Sequence, residues 1–158
     1  MSKTTIQVGK PAPELALQDQ SGRPASLGDY ASKWVVLYFY PKDDTPGCTT
    51  EACEFTDGLK AFETLNAVVL GCSPDTPASH MKFIAKYGLK LRLLSDPEHT
   101  VLAAYGAWGE KSTYGKKSTG VIRSTVIVDP QGKVAYHWPK VTAAGHAEAV
   151  RAKLAELR

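Results

Sequence analysis

The sequence predicts an α/β fold in which a mixed β-sheet lies between helices on both of its faces. Three observations lead to this prediction. Short apolar runs rich in β-branched and aromatic residues alternate with helix-like stretches through most of the chain. Two strand-like runs joined by a tight turn then follow at 121–138, and a final helical stretch closes the chain. Alternation of strands and helices favours parallel strand pairs, and the late hairpin adds antiparallel ones.

The N-terminal part predicts a hairpin followed by a buried strand. Residues 20–22, Gln-Ser-Gly, have turn chemistry between short apolar stretches, which predicts a β-hairpin within 10–30. Trp34–Tyr40 reads WVVLYFY, a composition typical of a strand that is buried on both faces of a sheet. Pro41 ends this strand because it cannot donate a ladder hydrogen bond.

Helices and strands alternate in the middle of the chain. Thr49–Leu65 has apolar residues at a spacing of three and four, which predicts a helix that Gly58 weakens. Ala67–Cys72 is apolar and predicts the next buried strand. A helix through Met81 and Tyr87 is predicted to end at Gly88, since glycine readily takes the left-handed conformation found at helix ends.

The remaining elements are predicted from shorter signals. We expect a strand at 89–94, a helix from 95 to about 105, an irregular polar segment at 107–120, strands at 121–128 and 133–138, and a helix at 142–158. The order of elements fits a thioredoxin-like sandwich with an N-terminal hairpin, and the pattern alone also allows a flavodoxin-like sheet. The length suits a single domain over residues 1–158.

Composition excludes several classes of protein. The chain is 43% hydrophobic and 22% charged, as in ordinary globular proteins. Its net charge of +3 comes from scattered Lys and Arg, so we expect no nucleic-acid partner. The longest apolar run is too short to span a membrane, and Met1–Lys10 does not resemble a signal peptide, so we expect a cytoplasmic location. Three cysteines are then buried, metal-binding or redox-active thiols.

Cys48 is the strongest candidate for a reactive residue. It follows a buried strand and a turn rich in Pro, Asp and Gly, and it lies near the predicted start of a helix. Unpaired N–H groups and the helix dipole at such a position favour the thiolate form of a cysteine. A lone Cys there would more often be a small half-buried residue, but the Thr-Pro-Gly context and a second cysteine favour a redox role.

That second cysteine, Cys53, follows five residues later. On a regular helix this spacing separates the Cα atoms by about 8–9 Å, beyond the reach of a disulfide. Either the two thiols never pair, or the helix unwinds between them. A Cys-x-x-Cys motif is excluded by the spacing, and a metal site lacks ligands, because none of the four histidines lies within twenty residues of Cys48. We therefore expect no metal and no cofactor.

The other thiol and the histidines are assigned structural roles. Cys72 lies in an apolar strand, where a buried and inert thiol is expected. The histidines are expected at the surface or in hydrogen bonds, which disfavours a Cys–His hydrolase; they are His80, His99, His137 and His146.

The segment Pro41–Cys48 carries a resemblance to a known family. It reads PKDDTPGC, which matches the Pro-x-x-x-Thr/Ser-x-x-Cys signature of peroxiredoxins. With a second cysteine at plus five, the chain resembles the Q-type subgroup, also called bacterioferritin comigratory proteins, of atypical 2-Cys mechanism. Further similar stretches lie at 69–75, 79–83, 86–88, 94–97, 105–111 and 120–125.

The resemblance implies a thiol peroxidase of thioredoxin fold that reduces hydrogen peroxide and organic hydroperoxides. Cys48 would be the peroxidatic thiolate, which is oxidised to a sulfenic acid. Cys53 would be the resolving cysteine, which condenses with it into an intrachain disulfide. Thioredoxin or a glutaredoxin would reduce that disulfide, and the protein would act as a monomer or weak dimer.

The same resemblance implies three supporting residues. Thr45 would hydrogen-bond the thiolate and the peroxide, Arg123 would hold the thiolate charged, and Pro41 would shield the sulfur from water. Arg123 is expected within an apolar strand, where an unpaired guanidinium would be costly, so a mere surface ion pair is disfavoured. Two other functions stay open from the residues: a redox sensor or chaperone that uses the same switch, and a structural adaptor with inert thiols.

Overall fold

The computed structural model describes residues 6–113 and 115–158. The strands are Ala16–Asp19 (β1), Pro24–Ser26 (β2), Trp34–Phe39 (β3), Ala67–Ser73 (β4), Arg92–Ser95 (β5), Trp108–Thr113 (β6), Lys116–Val121 (β7), Ser124–Val128 (β8) and Val134–Trp138 (β9). The helices are Pro46–Asp57 (α1), Leu59–Thr64 (α2), Pro77–Tyr87 (α3), Thr100–Ala104 (α4) and His146–Leu157 (α5), with a 3₁₀ helix at Leu27–Tyr30.

Seven strands form one mixed sheet in the order β2-β1-β5-β4-β3-β8-β9. β3, β4 and β5 run parallel, whereas β8 and β9 pair antiparallel on one side and β1 and β2 on the other. The predicted mixed sheet and N-terminal hairpin are thus confirmed. The antiparallel strands exclude the flavodoxin-like alternative, whose sheet is parallel.

Two hydrophobic cores lie on opposite faces of the sheet, and β3 contributes to both. Val35, Leu37 and Phe39 face one core, while Val36 and Tyr38 face the other. Helices α1 and α5 cover the second face, and α4 lies against the first. Strand residues alternate between faces, so a strand that packs on both sides is apolar throughout, as the sequence predicted.

The cysteines are divided between these cores. Cys48 is buried among the side chains of the second face, whereas Cys72 is buried in the first. The sheet therefore separates the two thiols. Burial raises the pKa of Cys72 well above its usual value, which agrees with the expected inert thiol.

Several element boundaries differ from the predictions. The helix predicted over 49–65 is two helices that meet at Gly58, and the first begins earlier, at Pro46. The helix predicted from 95 begins only at Thr100, because His99 takes the left-handed conformation with φ 65°. The last helix, predicted from residue 142, likewise begins only at His146, because Gly145 has φ 80°.

The segment predicted as irregular, 107–120, instead contains the two-stranded sheet of β6 and β7. Most of β7 is exposed, so its sequence lacks the apolar alternation that marks a half-buried strand. Tyr114 and residues 1–5 lie outside the described residues. Residues 1–5 are half of the N-terminal stretch that does not resemble a signal peptide. Among the described residues, no helix is long and apolar enough to cross a membrane.

The sequence predicted Arg123 within a strand, and this prediction is wrong. Arg123 occupies the break between β7, which ends at Val121, and β8, which begins at Ser124. Its backbone is held there by a hydrogen bond from the Val141 N–H to its carbonyl oxygen, at 3.0 Å. The break frees the side chain from the alternation of the sheet, so the guanidinium reaches the start of α1.

Candidate active site

Cys48 lies in the first turn of α1, directly after the turn that follows β3. Pro46 occupies the first helical position, and the Thr49 N–H donates to the Thr45 carbonyl oxygen at 2.8 Å. Pro is favoured at this position because it needs no hydrogen-bond acceptor and its φ already suits a helix. The first-turn N–H groups have no acceptor within the helix, and they give this end of α1 a partial positive charge.

A buried ion pair adjoins the sulfur of Cys48. The Arg123 Nη2 donates to Cys48 Sγ at 3.2 Å, and Nη1 donates to Glu51 Oε1 at 2.6 Å. Cys48 is 1% exposed and the Glu51 side chain 0%, whereas the Arg123 side chain keeps 17% of its surface in solvent. One guanidinium therefore joins the thiol to a carboxylate one helical turn later, a geometry that favours negative charge on sulfur.

Burial and charge act in opposite directions on the two partners. Burial raises the pKa of Glu51 to about 7, although the positive charge of Arg123 opposes the shift. Burial lowers the pKa of Arg123, but Glu51 and Cys48 outweigh it and the net shift is upward, so the guanidinium stays charged. The pair holds a fixed positive charge at the sulfur and a carboxyl that titrates near neutrality.

Two buried oxygens next to this pair have no hydrogen-bond partner in the described part of the chain: Glu51 Oε2 and the Tyr38 hydroxyl. Burial, together with the charges of Glu51 and Cys48, raises the pKa of Tyr38 well above its usual value. A buried polar atom without a partner is costly, and exclusion of water also strengthens the electrostatic effect of Arg123 on these buried neighbours.

The close approach of Arg123 requires a glycine at position 47. A Cβ atom at this position would lie 3.2 Å from Arg123 Nη2 and 3.9 Å from the Cβ of Ala143. A side chain here would push the guanidinium away from the helix start. An open depression beside Arg123 is lined by Pro46, Gly47, Thr50, Val141, Thr142, Ala143 and Ala144.

The turn before α1 is anchored to α3 through Asp43, which is buried. Its carboxylate accepts hydrogen bonds from the Tyr40 hydroxyl at 2.6 Å and the Ser79 hydroxyl at 2.7 Å, and it lies 2.8 Å from His80 Nδ1. His80 Nε2 faces the Leu94 carbonyl oxygen at 2.9 Å and must carry a proton there. His80 is therefore a hydrogen-bonding residue, as expected, but it contacts the cysteine-bearing turn despite its distance in sequence.

The adjacent Asp44 forms a second, exposed anchor to the same helix. Its carboxylate accepts from Lys86 Nζ at 2.8 Å and from the Tyr87 hydroxyl at 2.6 Å. Asp44 has φ 60°, a conformation that Asp tolerates better than most residues. α3 thus fixes the turn at two consecutive residues.

Asp43, Asp75 and His80 have ligand-type atoms within 4.8 Å of one another. These atoms already form hydrogen bonds, because the Asp43 N–H and the Ser73 hydroxyl both donate to Asp75 Oδ2. A metal ion would displace this network, so we assign the group a structural role.

Cys53 lies on the same helix as Cys48, is half-buried, and is a free thiol, as are Cys48 and Cys72. Burial and the charge of Asp57 raise the pKa of Cys53. Helix geometry over five residues places the two Cα atoms about 8–9 Å apart, so the thiols cannot bond while α1 is intact.

The remaining expected site residues lie in the same turn. Thr45 precedes the first residue of α1, but its hydroxyl donates to the Lys42 carbonyl oxygen at 2.8 Å and not to the sulfur. Pro41 is half-buried at the start of the turn. The structure therefore brings Cys48 and Arg123 together and places Cys53, Thr45 and Pro41 nearby.

Sequence reasoning missed Glu51. The available signal was a carboxylate on the apolar stripe of the helix, four residues before Phe55, where a charge is buried only if it is paired. The pairing partner lies 72 residues away, and nothing in the local sequence identifies it.

The sequence of this chain is similar to that of known peroxiredoxins. The sequence profile of the AhpC/TSA family matches residues 8–137. Peroxiredoxin Bcp of Bacillus subtilis is 45% identical over 148 residues, which cover 93% of this chain and 94% of that protein. A putative peroxiredoxin of Mycobacterium tuberculosis is 46% identical over 155 residues, 98% of this chain and 99% of that protein.

Solved structures of similar proteins share the fold. The bacterioferritin comigratory protein of Xanthomonas campestris, studied for its alkyl peroxide reduction activity, superposes with a TM-score of 0.88 at 40% identity, covering 99% of this chain and 100% of that one. A PrxQ mutant of Xylella fastidiosa gives a TM-score of 0.90 at 37% identity, with 98% of both chains covered.

Proposed function

Because the chain belongs to the AhpC/TSA family, as a thiol peroxidase of the Bcp/PrxQ peroxiredoxin type, we propose that Cys48 is its peroxidatic residue. The observation that carries this assignment is the 3.2 Å hydrogen bond from Arg123 Nη2 to Cys48 Sγ at the start of a helix. Cys48 has a fixed cation at its sulfur and lies in the first turn of a helix, whereas Cys53 and Cys72 have pKa values raised by burial.

In the first step, the Cys48 thiolate attacks one peroxide oxygen. The S–O bond forms as the O–O bond breaks, the departing oxygen takes up a proton from solvent and leaves as water or an alcohol, and Cys48 becomes a sulfenic acid. Negative charge moves from sulfur to the departing oxygen, and the guanidinium of Arg123 stabilises it at both places. Glu51 holds that guanidinium in position.

Thr45 and Pro41 complete the proposed site. The Thr45 hydroxyl would exchange the Lys42 carbonyl oxygen for the sulfur or the bound peroxide, a rotation about one side-chain bond. Pro41, at the start of the same turn, would exclude water from the thiolate and so strengthen its interaction with Arg123.

In the second step, the Cys53 sulfur attacks the sulfenic sulfur of Cys48. An S–S bond forms, the S–O bond breaks, and water leaves. The two cysteines occupy one helix, so this step requires α1 to unwind between them. A thiol reductant then restores both thiols by exchange, and we propose thioredoxin, with a glutaredoxin as the alternative.

We propose hydrogen peroxide and organic hydroperoxides as substrates. The Xanthomonas relative has alkyl peroxide reduction activity, and Val141 and Ala143 offer apolar surface to an alkyl group beside Arg123. We further propose that one domain, 1–158, carries the whole activity as a monomer. A cytoplasmic location suits the three free thiols, since that compartment keeps cysteines reduced.

A steady-state assay with thioredoxin, thioredoxin reductase and NADPH tests this proposal with hydrogen peroxide and an organic hydroperoxide. We expect Cys48→Ser to consume no peroxide and Cys53→Ser to consume one equivalent without recycling by thioredoxin. Cys72→Ser is the matched control and should turn over like the wild type. Sustained, thioredoxin-coupled turnover by Cys48→Ser would refute the assignment.

A further inference from the structure

Glu54, the residue after Cys53, links α1 to the beginning of α5. Its Oε1 accepts a hydrogen bond from the Gly145 N–H at 2.9 Å. Gly145 is the N-cap of α5 and has no side chain with which to cap the helix. The Glu54 carboxylate therefore supplies, from another helix, the negative charge that a helix N-terminus favours.

The position of Glu54 along α1 gives this bond its importance. Cys53 reaches Cys48 only if the residues between them leave the helix, and Glu54 immediately follows that segment. Phe55, the next residue, is 0% exposed and its ring lies 4.7 Å from that of Tyr38. Thr56 accepts a hydrogen bond of 3.3 Å from the Lys90 N–H. Within that segment Glu51 is paired with Arg123, and Glu54 is the first polar link after it.

The resolving thiol itself adds little to this attachment. Cys53 is half-buried and packs at the edge of the core, and its sulfur is free. Helix α1 also ends three residues after Glu54, at Asp57, so little of α1 lies beyond this point to resist unwinding. The Glu51–Arg123 pair restrains α1 before Cys53, and the bond from Glu54 to Gly145 restrains it directly after Cys53.

We propose that Glu54 is a positioning residue that controls how fast Cys53 reaches the oxidised Cys48. The inference rests on the proposed roles of these two cysteines. While the hydrogen bond to Gly145 is intact, α1 stays folded and Cys48 remains a sulfenic acid. When it breaks, the Cys53 sulfur bonds to that of Cys48, and water leaves with the sulfenic oxygen and the thiol proton.

The lifetime of the Cys48 sulfenic acid has a chemical consequence. A second peroxide molecule can transfer an oxygen atom to the sulfenic sulfur, which gives a sulfinic acid and one molecule of water or alcohol. This oxidation is irreversible for most proteins and ends turnover. Glu54 therefore sets the partition of the sulfenic acid between the disulfide and the inactive sulfinic acid.

The test compares Glu54→Ala with Glu54→Gln, since the amide oxygen of Gln can still accept from the Gly145 N–H. Rapid mixing with peroxide resolves formation of the sulfenic acid and of the disulfide, and mass spectrometry measures sulfinic acid against peroxide concentration. Glu63→Ala is the matched control, because Glu63 is exposed on the next helix.

We expect Glu54→Ala to form the sulfenic acid at the wild-type rate but the disulfide roughly three- to tenfold faster, the scale of one lost charged hydrogen bond at a partly exposed site. The peroxide concentration that half-inactivates the enzyme should rise by a similar factor. Glu54→Gln should stay within about twofold of the wild type, because its acceptor is retained.

Two results would overturn the proposal. Disulfide formation at the wild-type rate in Glu54→Ala would show that the bond does not restrain α1. An equal slowing of both steps would show that Glu54 acts only on overall folding. If the wild type forms no Cys48–Cys53 disulfide, the proposed function fails as well, whereas the first two results leave it intact.

Discussion

The turn at 41–45 and the segment at 53–58 flank the same cysteine but are held very differently. Asp43 in the turn is hydrogen-bonded to three side chains and Asp44 to two more, and four of these five side chains belong to α3. In the described part of the chain, the later segment has two side-chain hydrogen bonds to other elements, at Glu54 and Thr56, and it ends at Gly58. One side of Cys48 is rigidly anchored, and the other side is anchored mainly by Phe55.

This difference matches the two demands of the chemistry. Attack on peroxide needs Arg123 and the helix start in a fixed arrangement, since preorganised charges cost no reorganisation during the reaction. Resolution needs the opposite property, because Cys53 must leave its helical position. The 12-residue helix α1 serves both demands by having its fixed end at Cys48 and its releasable end at Gly58.

The largest effect is expected from Arg123→Met at the fixed end. Loss of the donor to Cys48 should slow oxidation of Cys48 by roughly 10²- to 10³-fold, the usual effect of removing one preorganised donor. Stopped-flow measurement of the peroxide reaction checks this value. Arg151→Met, which removes a half-buried guanidinium paired with Glu148 on α5, is the control and should react normally. Equal rates in both variants would remove Arg123 from the reaction.

His80→Ala tests the anchoring of the turn. Without His80, the buried Asp43 side chain loses a hydrogen-bonding partner inside the protein, so the free energy of unfolding should fall by about 3 kcal/mol. Lys86→Ala removes an exposed partner of Asp44 on the same helix and should lower the free energy of unfolding far less, because a solvated ion pair contributes little. Urea denaturation measures both values, and equal losses would contradict the proposed difference between the anchors.

Glu51→Gln should flatten the pH dependence of stability. The pKa of Glu51 is raised to about 7 by burial, so the folded state retains a proton that the unfolded state releases near 4.5. The stabilisation is then complete below pH 4.5 and is lost as pH rises through about 7. Urea titrations at a series of pH values should show this loss in the wild type and not in the variant. An identical slope in both proteins would argue against a titrating Glu51.

The smallest effect is expected at the releasable end, from Gly58→Ala. Gly58 has φ −90°, and a Cβ atom there would meet the Glu54 carbonyl oxygen at an ordinary 3.5 Å. Alanine should therefore stabilise the junction of α1 and α2 by about 0.5–1 kcal/mol. Disulfide formation should slow by about two- to fivefold if that gain opposes unwinding. Gly28→Ala, in the distant 3₁₀ helix, is the control, and equal resolution rates would place the unwinding elsewhere.

Much of this architecture was predictable because it depends on the spacing of apolar residues and on turn residues that are close together in the sequence. The buried strand β3, the helix that carries both cysteines and the N-terminal hairpin follow from apolar spacing and turn residues. The resemblance to Q-type peroxiredoxins, drawn from Pro41–Cys48 and Cys53, is confirmed by the family match and by the solved structures. The incompatibility of an intact helix with a Cys48–Cys53 disulfide also follows from spacing alone.

What the sequence could not provide depends on contacts between distant residues. Glu51 pairs with Arg123, Asp43 with His80 and Glu54 with Gly145, and none of these pairs is related by a helix or strand period. The break that releases Arg123 from the sheet was hidden because Val121 and Ile122 continue the β-branched pattern of a strand. The β6–β7 hairpin was missed because most of β7 is exposed and buries too little apolar surface to leave a pattern.

Hydrogen exchange of α1 before and after one equivalent of peroxide tests the unwinding most directly. In the reduced protein, we expect amides of residues 49–57 to be protected as in an intact helix. In the oxidised protein, with the Cys48–Cys53 disulfide verified by peptide mapping, these amides should exchange much faster while those of β3 stay protected. Unchanged protection of α1 in a protein that carries this disulfide would contradict the requirement for unwinding.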